Sequence, residues 1–504
     1  MLDTFELLLD GFAVALTPEN IAWVLIGTMI GTLVGVLPGL GSPAAIALLL
    51  PLTIQLPPAT GLIMLAGIYY GSEYGGKITA ILMNIPGESG AIMTTLDGYP
   101  MAKAGRAGPA MGIATIASFI GGTVGLIGLV LLAQPIANLA INFGSPELFG
   151  LVMVSLATIV LMSDKSVLKG LIAAVIGLLL ALVGVDLFTG EPRFIFGQPE
   201  LLDGFSFIAL VVGVFAIAEV MINLEEKSGR PIFSLPKGIR AYFPSRADVK
   251  QSGFAMTYGS IVGFIVGAIP GAGATIAAFL AYMVQKKVSR TPERFGTGAI
   301  EGVAAPEAAN NAATSGAFIP LLTLGIPGSG TTAILLGALI LFGVQPGAQL
   351  IEQRPDVVWP LLASMFIGNI ALLIINMPMV PVWASLLRVP YSILYPVIVV
   401  LSIIGAYSVS SSIMDLWTLL AFSLLGYAFR KFGIPTAPLI LSFVLGTLAE
   451  RSFRQSMLIS DNSAAIFWER PIALVLLSIA ILLLTSPILA TATSAARKKL
   501  SLRR

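Results

Sequence analysis

Four Pro-Gly dipeptides, each preceded by Leu or Ile, interrupt apolar stretches of this 504-residue chain: Leu37-Pro38-Gly39, Ile85-Pro86-Gly87, Ile269-Pro270-Gly271 and Ile326-Pro327-Gly328. Proline ends the run of helical hydrogen bonds. In apolar surroundings the freed N–H and C=O groups must then be met by other protein, an aqueous cavity or a bound solute. The N–H groups that open the following half-helix carry a partial positive charge of about half a unit, which suits a carboxylate. The free carbonyls on the other side suit a cation such as Na⁺. The chemistry offered is binding rather than bond making.

Candidate contacts for an anionic solute are Gly39, Gly41 and Ser42 at the first break, and Asn84, Gly87, Glu88 and Ser89 at the second. At the third they are Gly271, Gly273 and Thr275, and at the fourth Ser329, Thr331 and Thr332. Backbone or side-chain oxygens of Pro38, Pro86, Pro270, Pro327, Asn310 and Thr314 are candidates for a cation. The plainer alternative is that each Pro-Gly only kinks a packed helix while Ser and Thr bond back to their own turn. Four breaks in matched pairs count against it.

Polar residues gather beside the breaks. Tyr69, Tyr70, Ser72, Glu73, Tyr74 and Lys77 lead into Asn84, and Glu301, Glu307, Asn310, Asn311, Thr314 and Ser315 lead into the last break. Ionisable groups at membrane depth are functional candidates by default. Glu73 and Lys77 also fit a local i,i+4 helix pair near an interface, so Asn310 and Asn311 are the stronger candidates. Two motifs are set aside. Gly71 to Lys77 has the spacing of a phosphate loop, but Ile78 stands where Ser or Thr should bind Mg²⁺ and no strand precedes it. Gly271 to Ala277 imitates a dinucleotide fingerprint inside an apolar run without a βαβ pattern.

The elements that position these residues follow from composition. Mean hydropathy of +0.94, 56% hydrophobic and 11% charged residues describe a polytopic membrane protein. Recurrent apolar runs without strand-like alternation predict an all-α bundle of roughly ten to fourteen spans and half-spans. A net charge of +2 gives no footprint for nucleic acid. The chain has neither His nor Cys, so it lacks the commonest general base and metal ligand, any thiolate site and any disulfide. No transition-metal site, cofactor or enzymatic reaction is expected. No basic residue precedes Lys77, so the first apolar run does not read as a cleaved signal.

The chain repeats itself. Gly31 to Gly41 matches Gly263 to Gly273 at an offset of 232, and Ile85 to Ser89 matches Ile326 to Gly330 at an offset of 241. A first half over 1–223 and a second from 253, with its core at 253–383 and remaining spans at 384–504, flank a linker at 224–252. That linker carries Lys227, Arg230, Lys237, Arg240, Arg246 and Lys250, which places it in the cytoplasm. The run from Gly253 to Val284 ends in Lys286, Lys287, Arg290 and Arg294, so both its ends read as cytoplasmic and the run as re-entrant. Its counterpart in the first half has an acidic N-terminal flank and no basic one. Opposite flanks on matching motifs predict inverted repeats with re-entrant or broken helices meeting near mid-membrane, an arrangement of secondary transporters. Further spans are expected around Ala110–Ala133, Leu148–Met162, Leu168–Leu187, Phe205–Ile222, Val357–Trp383, Ile393–Ser410, Leu416–Ala428, Pro435–Leu448 and Ile472–Ala490. The tail with Arg497, Lys498, Lys499, Arg503 and Arg504 reads as cytoplasmic.

Five segments together, Val34–Gly41, Tyr70–Lys77, Asn84–Glu88, Pro306–Ala312 and Leu324–Ser329, resemble the large integral membrane subunit of the tripartite tricarboxylate transporters, the TctA family. The likeness spans nearly the whole chain. It implies a multi-pass protein of the bacterial inner membrane and a cation-coupled importer of citrate-like carboxylates, with Na⁺ the expected coupling ion and H⁺ the alternative. It also implies two partners, a periplasmic TctC-like solute-binding protein and a small TctB-like membrane subunit. The rival functions are a carboxylate channel, an exporter that needs no binding protein, an intramembrane enzyme and a membrane scaffold.

Overall fold

The computed structural model describes residues 2–37, 40–161, 166–186, 188–225, 238–386 and 391–501. Pro38 and Gly39 of the first break, the linker residues 226–237 with Lys227, Arg230 and Lys237, and Arg503 and Arg504 of the tail lie outside the described residues. Among the described residues the protein is all-α, apart from one two-residue β-pair joining Gly184–Val185 to Pro192–Arg193. Five helices among the described residues are long and apolar enough to cross a membrane: Pro18–Val36, Ala107–Ala140, Phe207–Glu225, Pro355–Leu386 and Ile413–Lys431. Shorter apolar helices accompany them, among them Gly41–Thr53, Gly330–Leu341 and Val167–Ala181. The span expected to reach Leu187 ends at Ala181, because the chain turns there into the β-pair. The last residues of the polar linker, from Arg246, are already helical, opened by a capping box between Ser245 and Asp248.

The chain forms two compact units. The first comprises Met1–Ala140 with Phe207–Tyr427, and holds all four breaks. Here the same five elements occur twice in the same order. The first set is Pro18–Val36, Gly41–Thr53, Pro58–Met83, Ile92–Lys103 and Ala107–Ala140. The second is Arg246–Gly267, Gly273–Val288, Glu301–Leu324 with one irregular residue at Ala317, Gly330–Leu341 and Pro355–Leu386. The break sits between the first and second elements of each set, and again between the third and fourth.

Packing repeats at the sequence offsets. A Cβ placed on Gly27, Gly31 or Gly35 would lie 2.5, 2.2 or 2.2 Å from the carbonyl oxygens of Met64, Ile68 and Ser72. One on Gly259, Gly263 or Gly267 would lie 2.4, 2.2 or 2.4 Å from those of Ala305, Ala309 and Ala313. Every glycine in the second row is the 232-offset counterpart of one in the first, and every carbonyl the 241-offset counterpart. Glycine at every fourth position lets two helix backbones touch, which is how helices associate where no hydrophobic effect drives them together. The Pro58–Met83 helix is buried on all faces from Thr60 to Leu82, and Glu301–Gly316 along its whole length. Each long helix lies against the central helix of the other set, Ala107–Ala140 on Glu301–Gly316 and Pro355–Leu386 on Pro58–Met83.

One contact has no counterpart. Between the second and third elements the first set has four residues, 54–57, where the second has twelve, 289–300, and the offset between the sets grows by nine, from 232 to 241, across this stretch. That longer loop closes on buried Asp97, whose Oδ1 accepts from the N–H groups of Gly296, Gly298 and Ala299 at 2.8–2.9 Å, while Tyr282 donates to Oδ2 at 2.9 Å.

The second unit, Ile141–Ser206 with Ala428–Arg504, packs Ser145–Leu161 and Val167–Ala181 on Ala437–Ile459, and Ser145–Leu161 also on Pro471–Ser501. In the C-terminal part of Ala437–Ile459, Arg454 donates to Asp186 at 2.6 Å and Glu450 accepts from Arg193 at 2.7 Å, with Arg454 also 3.0 Å from Glu450.

Candidate functional site

The third elements end alike. Asn84 (φ 57°) and Gly325 (φ 68°) both turn left-handed and send their N–H groups back to Thr79 and Pro320, positions again related by 241. Asn and Gly are the residues that tolerate this conformation. The half-helices of the other two breaks open on Gly41 (φ 56°) and Gly273 (φ 64°), related by 232.

At the first pair of breaks the chain supplies its own carboxylate. The backbone N–H of Ser42 donates to Glu88 Oε2 at 2.6 Å, and that of Ser89 to Glu88 Oε1 at 3.1 Å. One glutamate therefore caps two half-helix N-termini, the favourable place for its charge. The Ser42 hydroxyl stands 2.8 Å from Glu88 Oε2 and 3.0 Å from Glu73 Oε1, and Ser72 Oγ lies 2.7 Å from it. Ser42, Ser72, Glu73 and Glu88 are all buried.

At the second pair, the Gly271 N–H donates to the Gly328 carbonyl at 3.0 Å, which joins the two breaks. Ser329 and Thr332 satisfy each other in a capping box, so their oxygens serve their own turn. No side chain caps Gly273–Val288, whose first residues Gly273, Ala274 and Thr275 are half-buried. Ala274 stands where its counterpart is Ser42. Of the four half-helix N-termini, this is the one that no side chain satisfies.

Side chains from both sets meet between the pairs. Asn310 is fully buried, stands against Glu73, and makes no hydrogen bond of ordinary geometry with either amide atom. Its Oδ1 lies 2.3 Å from where a Cβ on Gly90 would be, so only glycine lets it in. The Tyr69 side chain reaches Ser329 and Thr314, and Tyr70 bonds to Ser315. The Thr314 hydroxyl donates to the Asn310 carbonyl of its own helix at 3.1 Å, and Asn311 Nδ2 to Glu307 O at 3.1 Å. Thr331 is buried, Pro86 and Pro270 are half-buried and Pro327 is buried. Gly87 is buried against Gly35, whereas Asn84 and Ser89 are exposed.

Glu73 and Lys77 do not form the local pair that their spacing permits. Both are buried, and they face different partners. Lys77 Nζ sits 4.0 Å from the centre of the Tyr74 ring and donates to Ser118 Oγ at 3.2 Å, and Ser118 donates to Glu307 Oε2 at 3.0 Å. Thr94 donates to Glu307 Oε1 at 2.5 Å. Ser118 and Thr94 gave no signal in the sequence, since a lone hydroxyl in an apolar run ordinarily bonds its own helix.

The description of the Tripartite tricarboxylate transporter TctA family matches residues 21–441, which include all four breaks. The chain belongs to that family. This TctA-family chain is 45% identical over 479 residues, 95% of each chain, to an uncharacterised 52.8 kDa protein in the TAR-I ttuC' 3' region of Agrobacterium vitis. It is also 45% identical over 217 residues, 43% of this chain and 90% of the other, to an uncharacterised protein in the TAR-II ttuC' 3' region of the same organism. No solved structure matches. Membership makes this membrane protein a subunit of a tripartite transporter.

Proposed function

We propose that the chain is the carrier subunit of a secondary active, cation-coupled importer of tricarboxylates or related small carboxylates in the bacterial inner membrane. It works with a periplasmic solute-binding protein and a small membrane subunit. The observation that carries this reading is the half-helix N-terminus at Gly273–Thr275, which no side chain caps. The other three are occupied by Glu88 or by the Ser329–Thr332 box. A substrate carboxylate is the natural partner for those N–H groups. The paired glycine rows and the opposed charge of the flanking loops support two inverted repeats that present this site to each side in turn.

The test is uptake of labelled carboxylates into proteoliposomes containing the two membrane subunits and the binding protein, with Na⁺ and pH gradients imposed separately. Saturable uptake that follows one gradient is expected. Gly271→Leu should abolish it while leaving the protein inserted, because Gly271 has φ 84° and donates to Gly328 at the break. Non-saturable flux independent of both gradients would make the protein a channel. Normal uptake by Gly271→Leu would remove the break from the site.

A further inference from the structure

The Ser42 hydroxyl has one hydrogen to give and two carboxylate oxygens within reach, Glu73 Oε1 at 3.0 Å and Glu88 Oε2 at 2.8 Å. Ser72 cannot make up the difference, because its hydroxyl points at Ser42 Oγ, at 2.7 Å, or at the Tyr69 carbonyl, at 2.9 Å. Glu88 Oε2 also accepts from the Ser42 backbone N–H at 2.6 Å, so the hydroxyl is free to serve Glu73 Oε1, and Glu73 Oε2 is the carboxylate oxygen left without a hydrogen bond. The other ionisable groups around Glu73 do not relieve this. Glu307 is acidic, Tyr69 is a phenol, and Lys77 on the same helix is turned to Ser118 and Tyr74. Two negative charges buried without a counter-charge are costly. A single positive charge balances one of them and fills the open position at Glu73 Oε2.

Independent groups point at the same place. Glu73 Oε2 and both amide atoms of Asn310, which comes from the other repeat and stands against Glu73, are buried and make no hydrogen bond of ordinary geometry. We propose that Glu73, Glu88 and Asn310 hold the coupling cation, one monovalent charge shared between the two carboxylates beside Ser42. The site rests on the carrier reading only for what its occupancy drives. As a proton it sits on Glu73 Oε2. As sodium it takes Glu73 Oε2, Asn310 Oδ1 and Glu88 as oxygen ligands. The counterparts of Ser42, Glu73 and Glu88 in the second repeat are Ala274, Thr314 and Ser329, which carry no charge. The first repeat thus binds the cation, the second leaves its N-terminus to the substrate, and each chain has one such cation site.

The test measures occupancy without transport. The thermal unfolding midpoint of the full chain in nanodiscs is followed against sodium at constant ionic strength, with choline as balance, and against pH without sodium. The expected result is a midpoint that rises saturably in one of the two series, which identifies the ion. Glu73→Gln and Glu88→Gln should each lose that rise, and Asp356→Asn should keep it. In the sodium case Asn310→Ala should raise the half-saturating concentration about tenfold. Should the glutamine variants fail to fold, carbodiimide labelling of the wild-type chain, read by peptide mass, replaces them. Glu73 or Glu88 should then label, and sodium or alkaline pH should protect it. A wild-type midpoint flat in both series, a response unchanged in both glutamine variants, or labelling indifferent to both ions overturns the site. Normal ion binding without carboxylate uptake would instead sink the carrier reading and leave the site standing.

Discussion

At the scale of single residues, the Lys77–Glu307 connection makes the sharpest claim. Both side chains are buried, one from each repeat, and Ser118 links them. Removing one partner strands the other charge, which typically costs 3–5 kcal/mol, whereas removing both can be close to neutral. Lys77→Met is therefore expected to be destabilised by about that amount, and Lys77→Met with Glu307→Gln to recover much of it. Thermal unfolding of the single and double variants checks this, and additive losses would show that the two charges do not act together. The sequence made these residues visible as ionisable groups in a membrane segment but not their partners. Spacing alone offers Glu73 and Lys77 to each other, and only the packing of Gly41–Thr53 and Ala107–Ala140 against the same helix draws them apart. Asn310 was legible as a candidate for a related reason, since an amide inside an apolar helix has to face something polar.

At the scale of elements, the glycine rows decide how closely the first and third helices of each set pack. Gly263→Ala would push a methyl to 2.2 Å from the Ala309 carbonyl, an overpacking expected to cost about 1–3 kcal/mol. Gly253→Ala, on the same helix with open space around it, should be neutral or gain up to about 1 kcal/mol from helix propensity. Unfolding midpoints of the two variants in detergent provide the comparison, and equal effects would refute close backbone contact. The offsets of 232 and 241 were readable in the chain before any contact was known, because motifs that fix backbone approach tolerate little change. The central helices were harder to see. Neither Pro58–Met83 nor Glu301–Gly316 is among the five membrane-length apolar helices, since each trades apolar residues for the Glu, Lys and Asn side chains of the site. High hydropathy suits a face turned to lipid, and these two helices are instead buried in protein.

At the scale of the whole molecule, the second unit should respond to acid in its own way. Arg454 beside Asp186, helped by the N–H groups of Thr189 and Phe188, holds that carboxyl well below the usual carboxylate range. Arg193 lowers Glu450 similarly. Groups whose folded pKa is depressed contribute stability that is fully present above about pH 4, their unfolded value, and is lost as pH falls through the folded one. Protection of the 184–206 loop in hydrogen exchange should therefore weaken as pH drops below about 4. Asp186→Asn should already show the weakened protection at neutral pH, and a loop equally protected in both proteins would exclude the ion pairs as its anchor. Nothing in the sequence announced this network, which pairs Arg193 with Glu450 and Asp186 with Arg454 across 257 and 268 residues.

The loop that closes on Asp97 bears on the molecule as a machine. Its donors lie in and beside the nine residues that the second repeat has and the first lacks, and the position matching Asp97 is Ala338. A carrier assembled from two equal halves would idle at either end of its cycle with the same ease. Here one half carries a latch and the other has none. Under the carrier reading proposed above, a step that parted this contact would withdraw a buried carboxylate from four hydrogen bonds, and the cycle would have a home position.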